Sequence, residues 1–224
     1  MRQGFKQNRS FVLLLLGFGL FRTAIADWNP IPSGSMRPTV LEGDVVLVNR
    51  LAYNVKLPLT DVVLARTGEP QRGDVVTFSS PLDGTRLIKR VVALPGDVVE
   101  MKDERLILNG QPARYRAQEQ VIEPLDGGGQ ARALRMTEQL VPNGSTSHRV
   151  QWFPGVNARS SFGPLLVPAD SYLVLGDNRD NSADSRYIGF VPRDLLIGQA
   201  HRVLVSADIK GSWLPRLERL GLSL

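Results

Sequence analysis

The chain has 224 residues, 42% of them hydrophobic, and a formal net charge of +5, so it can bury one substantial core. It contains no cysteine, which excludes disulfides, thiolate metal sites and a cysteine nucleophile. Arginines alternate with acidic residues along the whole length without forming a basic block, which argues against nucleic-acid binding.

The first 26 residues have the pattern of a membrane-targeting segment. Three basic residues precede an apolar stretch at 11–21, and an Ala-Ile-Ala sequence ends at Ala26. The basic flank predicts a cytoplasmic tail over 1–9, a transmembrane anchor over 10–26 and export of the rest. A short apolar stretch with this ending also describes a cleavable secretory signal, so the segment alone favours neither alternative.

The chain beyond Ala26 is predicted to form strands and turns. Aliphatic and β-branched runs bounded by Gly-Asp and Asn-Gly turns predict strands at 45–48, 74–78, 86–94, 98–101, 106–108, 171–175 and 197–206. Residues 102–105 are predicted to be a solvated hairpin tip. The fold class is therefore mainly β and antiparallel, with a core over 27–112 and 169–224. Glycine and proline break up residues 113–168, which we interpret as a β-rich insertion.

Two serines separated by one glycine lie between prolines in the segment 31–38. Glycine permits a sharp turn, so Ser35 can stand at a bend while Ser33 and nearby N–H groups face the same point. This arrangement suits a nucleophile, although ordinary surface turns use the same residues. Bulky side chains at Ile31, Pro32 and Ile88 would surround this serine and leave room only for small substrate side chains.

A serine hydroxyl needs a base to become a nucleophile, and the chain has few candidates. Lys89 shares a strand face with apolar residues, and burial there lowers a lysine pKa toward the neutral form that accepts protons. Lys56, in a Leu/Pro-rich loop, lacks such a face. His148 is predicted to lie on the surface of a loop, whereas His201 in a strand leaves a Ser/His/Asp hydrolase as an alternative.

A dense polar loop spans residues 176–186 directly after a predicted strand. It fails as a calcium loop, because the required glycine and closing glutamate are missing, and no metal site is predicted. A plain turn rich in Asp and Asn is one interpretation. The functional interpretation is a scaffold in which Asp–Arg pairs hold the loop while Ser182 orients the lysine amine.

Four segments at 33–39, 72–76, 89–97 and 176–186, in this order, resemble the bacterial type I signal peptidase (leader peptidase) family of membrane-bound Ser/Lys proteases. The resemblance implies a β catalytic domain on the periplasmic side of the inner membrane, held by one retained anchor. It implies hydrolysis of signal peptides after small residues of the Ala-x-Ala type, without metal or cofactor. The implied partners are preprotein signal peptides and the lipid bilayer, and the implied oligomeric state is a monomer.

The resemblance also implies a role for individual residues. Ser35 would be the nucleophile, Lys89 the general base, Ser33 an oxyanion-hole donor and Ser182 the hydroxyl that orients the lysine. The residues implied to support the site are Asp177, Asp184 and Arg186. This chain departs from the well-studied enterobacterial members, which have a second membrane segment, a disulfide and an aromatic residue where this chain has Asn29.

Two further alternatives remain open from the sequence. A plasmid-transfer maturation peptidase would use the same Ser/Lys chemistry on one dedicated substrate. An exported β-domain could instead bind peptides along a strand edge without catalysis, with the serines in a purely structural role.

Overall fold

The structure is a computed structural model that describes residues 8–57, 60, 62–124, 129–141 and 146–224. Its α-helices are α1 (Arg9–Ala24) and α2 (Ser185–Ile188), and 3₁₀ turns lie at Arg193–Leu195 and Leu217–Arg219. The strands in chain order are β1 (Ala26–Pro30), β2 (Asp44–Asn49), β3 (Asn54–Lys56), β4 (Val63–Arg66), β5 (Val75–Ser79), β6 (Arg86–Ala93), β7 (Val98–Lys102), β8 (Arg105–Leu108), β9 (Gln111–Pro112), β10 (Arg114–Pro124), β11 (Gln130–Gln139), β12 (His148–Trp152), β13 (Phe162–Leu166), β14 (Ser171–Leu175), β15 (Val191–Pro192) and β16 (Leu196–Ser206).

The largest sheet has seven strands in the order β1-β2-β16-β5-β6-β14-β15. Each neighbouring pair in it is antiparallel. A second sheet contains β10, β11 and β12, a third has the order β13-β7-β8-β9, and β3 pairs with β4. The predicted mainly β, antiparallel fold class is confirmed.

The predicted strands are all present, with ends within one residue of the prediction. The tip between β7 and β8 is a two-residue turn, in which Asp103 and Glu104 have φ values of 45° and 69°. This left-handed backbone at both positions matches the right-handed twist of the flanking strands. The predicted hairpin at 102–105 is therefore confirmed.

Strand β13 pairs with β7 rather than with the β10–β12 sheet. The stretch predicted to be an insertion therefore contributes one strand to a sheet that also contains 98–108. The division of the chain into a core and an insertion at 113–168 stays a prediction.

Strand β6 pairs with a different neighbour at each of its two ends. Strand β5 pairs with it from Arg86 to Arg90, whereas β14 pairs with it from Arg90 to Ala93. Residues 86–89 therefore have an open edge on the side of β14. An open edge of this kind is a ready template for an added strand.

One of the buried apolar clusters anchors the segment that carries the two serines. Ile31 and Met36 lie on either side of these serines and pack with Val46, Val75 and other buried residues. Full burial of a side chain such as methionine contributes about 1.5–3 kcal/mol. Ser35 is thus held between anchored neighbours, although its own segment is irregular.

Helix α1 presents large apolar side chains to the exterior, among them Phe11, Leu14 and Leu16. Its C-terminal end is tied to β1, because Arg22 Nε donates to Asp27 Oδ1 at 3.0 Å. No helix in the described part of the chain is both long and apolar enough to cross a membrane. The anchor over 10–26 stays a prediction.

Candidate active site

The turn that carries Ser35 is closed by a hydrogen bond from Arg37 N to Gly34 O at 3.0 Å. Ser35 is buried within it. Space beside Gly34 is tight, since a Cβ there would lie 3.2 Å from Glu42 Oε1 and 3.3 Å from Arg37 Cδ. We call residues 34–37 the nucleophile turn.

Lys89 projects from β6 to the nucleophile turn and is only 2% exposed. Its Nζ donates to Ser35 Oγ at 2.8 Å and to Ile88 O at 2.8 Å. Burial lowers the pKa of Lys89 from 10.5 to about 8, against the opposing influence of the Asp184 and Asp177 carboxylates. A useful fraction of the amine is then neutral near pH 7–8 and can accept a proton from Ser35.

Arg90, the next residue on β6, is also buried and faces the polar loop at 176–186. It binds Asp177 with two hydrogen bonds, from Nε to Oδ1 at 2.8 Å and from Nη2 to Oδ2 at 2.7 Å. Burial alone would raise the pKa of Asp177, but the Arg90 guanidinium holds it below its ordinary value. Thr39 Oγ1 donates to the same carboxylate at 2.5 Å. Asp177 thereby joins the loop to β6 and to the segment after the nucleophile turn.

The polar loop contacts the nucleophile turn through Asn178, a residue that the sequence analysis did not single out. Asn178 N donates to Ser35 O at 3.1 Å, and its Nδ2 donates to Gly34 O at 2.9 Å. Gly176 permits this close approach, because a Cβ there would lie only 2.5 Å from Ser35 O. The loop therefore helps to fix the backbone of Gly34 and Ser35, and Gly34 O accepts from both Asn178 and Arg37.

Asp184 and Arg186 hold the far end of the loop. Asp184 caps α2 and accepts a hydrogen bond from Gly176 N at 2.9 Å, while Arg186 Nε donates to it at 2.8 Å. Ser182 Oγ is buried and has no hydrogen-bond partner among the described residues. The predicted bond from Ser182 to Lys89 is absent from this structure, and its orienting role stays a prediction.

A cleft of about 250 Å³ opens between residues 29–32, which precede the nucleophile turn in the sequence, and residues 86–88, which precede Lys89; Ser35 and Lys89 themselves do not line it. The three residues predicted to form the substrate pocket, Ile31, Pro32 and Ile88, all line it. Arg86 Nη1 lies at its rim and donates to Asn29 Oδ1 at 2.9 Å. Ser33 is exposed, and its hydroxyl makes no hydrogen bond within the part of the chain that the structure describes. This hydroxyl is thus available to a ligand.

Two expectations about other candidate bases are wrong. His148 is only 8% exposed rather than on the surface, and its Nε2 lies 3.0 Å from Glu138 Oε2. Lys56 is buried on β3 rather than in a loop, and its Nζ donates to Asp194 O at 2.8 Å. His201 is exposed on β16, and the recorded partner of Ser35 Oγ is the amine of Lys89.

Sequence reasoning also missed a buried carboxylate that the β10–β12 sheet supplies. Glu138 Oε1 accepts a hydrogen bond from Arg179 Nη1 at 2.9 Å. Burial would raise the pKa of Glu138, but the charges of Arg179 and His148 outweigh this effect and lower the pKa. Glu138 and Arg179 are 41 positions apart, so no local pattern could have paired them.

Among the described residues, no group of three or more His, Asp or Glu side chains could hold a metal ion.

Comparisons with known proteins find relatives that match most of this chain. The model of the family "Signal peptidase, peptidase S26" matches residues 5–205. The signal peptidase I of Pseudomonas fluorescens is 38% identical, over 96% of this chain and 78% of that protein. The corresponding protein of Pseudomonas aeruginosa is 36% identical over the same shares. A crystal structure of a signal peptidase I from Enterococcus faecalis is 31% identical, covers 58% of this chain and 96% of that chain, and has a TM-score of 0.34.

Proposed function

This chain belongs to the signal peptidase family, peptidase S26, and we propose that Ser35 and Lys89 are the pair with which it removes signal peptides from preproteins. The observation that supports this pair is the 2.8 Å hydrogen bond between Lys89 Nζ and Ser35 Oγ. The lysine is buried and lacks a carboxylate partner at hydrogen-bond distance in the described structure. It therefore combines proximity with a lowered pKa.

In the proposed reaction, Ser35 Oγ attacks the scissile carbonyl carbon and its proton passes to neutral Lys89. The tetrahedral intermediate collapses, the C–N bond breaks, and Lys89 returns the proton to the departing amine. Water then attacks the acyl ester while Lys89 takes its proton, the C–Oγ bond breaks, and Lys89 returns the proton to Ser35 Oγ, which regenerates the free serine. Both half-reactions use the same amine as acid and as base.

The negative oxygen of the intermediate needs hydrogen-bond donors that are already in place. Ser35 N–H and the exposed hydroxyl of Ser33 are the proposed donors. Asn178 supports this arrangement by holding Ser35 O and Gly34 O, so the peptide units of the turn cannot rotate away. Ser182, buried beside the loop, is proposed to orient Lys89 when the substrate is bound.

The substrate is proposed to bind as an extended strand in the cleft, next to the open edge of β6 at 86–89. Added strands gain main-chain hydrogen bonds, while pockets for alternate side chains give specificity. The apolar walls at Ile31, Pro32 and Ile88 favour small side chains at the first and third positions before the cut. Profiling of a peptide library should show this preference.

We further propose that α1 holds the enzyme in the bacterial inner membrane as a single-pass monomer, with the catalytic domain on the periplasmic side. The exposed apolar side chains of the helix and the basic residues before it support this proposal. Alkaline carbonate should leave the protein in the membrane pellet, and N-terminal sequencing should begin at Met1. A soluble protein that begins at Asp27 would contradict the anchor.

The catalytic pair is tested by preprotein cleavage with the purified full chain in detergent. Ser35→Ala and Lys89→Ala should each abolish cleavage while the melting temperature shows a folded protein. Lys102→Ala is the matched control, because Lys102 is an exposed lysine on the hairpin at 102–105. Cleavage by Ser35→Ala at the wild-type rate would exclude this serine as the nucleophile.

A further inference from the structure

We propose that Glu123, on β10, is a positioning residue that holds the nucleophile turn through Arg37. The inference rests on the proposed function, in which Ser35 is the nucleophile. Glu123 and Arg37 are 86 positions apart in the sequence. The fold nevertheless places the Glu123 carboxylate against the guanidinium of Arg37, the residue whose backbone N–H closes the nucleophile turn.

The side chain of Arg37 is fixed at two of its nitrogens. Nε donates to Glu42 Oε2 at 2.8 Å, and Nη1 donates to Glu123 Oε2 at 2.6 Å. The side chain of Arg37 is only 10% exposed, and those of Glu42 and Glu123 are 3% and 4% exposed. Charge-assisted hydrogen bonds in such a dry environment fix geometry more firmly than exposed pairs do.

The position of the Arg37 side chain is coupled to the position of Ser35. Arg37 N closes the turn by its bond to Gly34 O, and the Arg37 stem fills the space beside Gly34. A Cβ added at Gly34 would lie only 3.3 Å from Arg37 Cδ, so the Arg37 stem occupies the space directly beside this glycine. A displaced guanidinium would therefore displace the turn itself.

Glu123 is itself held from the other side. Arg135 Nη2 donates to Glu123 Oε1, and Arg135 Nε donates to Gln151 Oε1 at 3.3 Å. Strands β10, β11 and β12 thus each supply one side chain to a continuous row of contacts.

This row leads back to the catalytic serine. Gln151 N donates to Asp177 O at 2.9 Å, and Arg179 N donates to Gln151 O at 3.0 Å. Asn178, between these two loop residues, donates to Ser35 O at 3.1 Å. The nucleophile turn is therefore held at both ends by one ring of contacts. Within this ring, the Glu123 carboxylate lies between the guanidinium groups of Arg37 and Arg135.

Removing the charge of Glu123 leaves Glu42 as the remaining recorded carboxylate partner of Arg37, and takes away the negative charge between Arg37 and Arg135, so their repulsion moves the Arg37 guanidinium. Glu123→Gln keeps the size of the side chain. We expect kcat to fall about tenfold to a hundredfold, the loss expected when a reacting group is misplaced by a fraction of an ångström to 1 Å. KM for a preprotein should stay unchanged, because Glu123 does not line the cleft. The rate should keep its pH midpoint near that of Lys89, at about 8.

Glu119→Gln is the matched control, with the same chemical change on the same strand. Glu119 forms an exposed pair with Arg149 at 3.1 Å, with side chains 56% and 60% exposed, and does not belong to the ring. It should retain wild-type kcat. An equal loss of kcat in Glu119→Gln and Glu123→Gln would mean that any charge change on β10 perturbs the enzyme, and would overturn the inference.

A double-mutant cycle tests whether Glu123 acts through Arg37. Arg37→Met should lower kcat, and adding Glu123→Gln to it should cause little further loss. A full and independent loss in the Arg37→Met background would overturn the inference, as would wild-type kcat in Glu123→Gln.

If melting curves show that Glu123→Gln is unfolded, Arg37→Lys replaces it. This variant keeps the charge but cannot reach both carboxylates, and it should lower kcat at constant KM; wild-type kcat would overturn the inference. The result is separate from that of Ser35→Ala, which tests the nucleophile alone.

Discussion

Strand β6 carries two consecutive buried cations whose surroundings differ. Lys89 contacts a hydroxyl and a backbone carbonyl, whereas Arg90 contacts the carboxylate of Asp177 through two hydrogen bonds. Successive side chains of a strand point in opposite directions, so the two cations reach different hydrogen-bond partners, although the Asp177 carboxylate also acts on Lys89 through its charge. A buried cation without a bound carboxylate becomes a candidate base, whereas one with a bound carboxylate becomes part of the scaffold.

The chemistry of the two side chains matches this division. An amine whose pKa falls to about 8 changes its charge near physiological pH, as Lys89 does. A guanidinium stays charged at any ordinary pH, and its planar donors fit a carboxylate, as in Arg90. Substitutions of Lys89 and Arg90 test whether the first acts as a base and the second as part of the scaffold.

The largest expected effect is that of Lys89→Arg. It would put a cation that cannot accept a proton on the catalytic face. We expect the rate of preprotein cleavage to fall by about a hundredfold to ten-thousandfold, the usual contribution of a general base. The rate is measured on protein that circular dichroism shows to be folded. Wild-type turnover would mean that the base is another group.

Arg90→Met removes the partner of Asp177 on the scaffold face. Breaking a buried pair in this way costs about 3–5 kcal/mol, because it leaves a charge buried without compensation. Urea denaturation should show this loss of stability. Arg66→Met, which breaks the exposed Arg66–Asp170 pair, is the control and should cost less than about 1 kcal/mol. Equal costs in the two variants would contradict the scaffold role.

Lys89→Met should stabilise the protein while it removes activity. The pKa of Lys89 is about 8 in the folded chain, whereas an unburied lysine in the unfolded chain has a pKa of 10.5. This difference lowers the free energy of unfolding of the wild type by about 3 kcal/mol at neutral pH. The unfolded chain binds the extra proton between pH 8 and 10.5, so wild-type stability rises with pH in this window. The advantage of Lys89→Met should be full below pH 8 and disappear above 10.5. A melting temperature at or below that of the wild type at pH 7 would contradict this account.

The smallest expected effect is that of pH on the wild type. Only neutral Lys89 accepts the serine proton, so kcat/KM should rise about tenfold per pH unit below pH 8 and level off above it. The measurement is a cleavage rate between pH 6 and 10, with protein stability checked at each value. A midpoint near 6.5 would instead indicate a histidine, and would favour His201 as the base.

Local pattern was sufficient for seven of the strands and for the face of β6 that carries Lys89. The β-branched runs predicted these seven strands, and alternation along 86–94 predicted the burial of Lys89. Short-range signals of this kind depend only on neighbours in the sequence. The contact between Ser35 and Lys89 was a hypothesis from the shortage of other bases, and the structure records that hydrogen bond.

Contacts between residues far apart in the sequence could not be predicted by the same reasoning. The Ser/Thr-rich surroundings of His148 suggested a surface loop, but Glu138 and Asp177 enclose it from other elements. Glu123 stands among other polar residues of β10, and only the three-dimensional fold shows that it faces Arg37 rather than solvent. A buried carboxylate and an exposed one have the same sequence signature, because their difference lies in distant partners.

The open edge of β6 is only four residues long, and its length limits how tightly it can hold a peptide. Alternate residues of a strand face each edge, so 86–89 offer about four hydrogen bonds at most. At about 1 kcal/mol each, they correspond to a dissociation constant in the millimolar range. We therefore expect free peptides to bind weakly and to leave quickly. If α1 anchors the enzyme in the bilayer as proposed, a preprotein in the same bilayer gains from its high effective concentration. Delivery by the membrane then compensates for the weak affinity of the edge, and the cleaved product is released quickly.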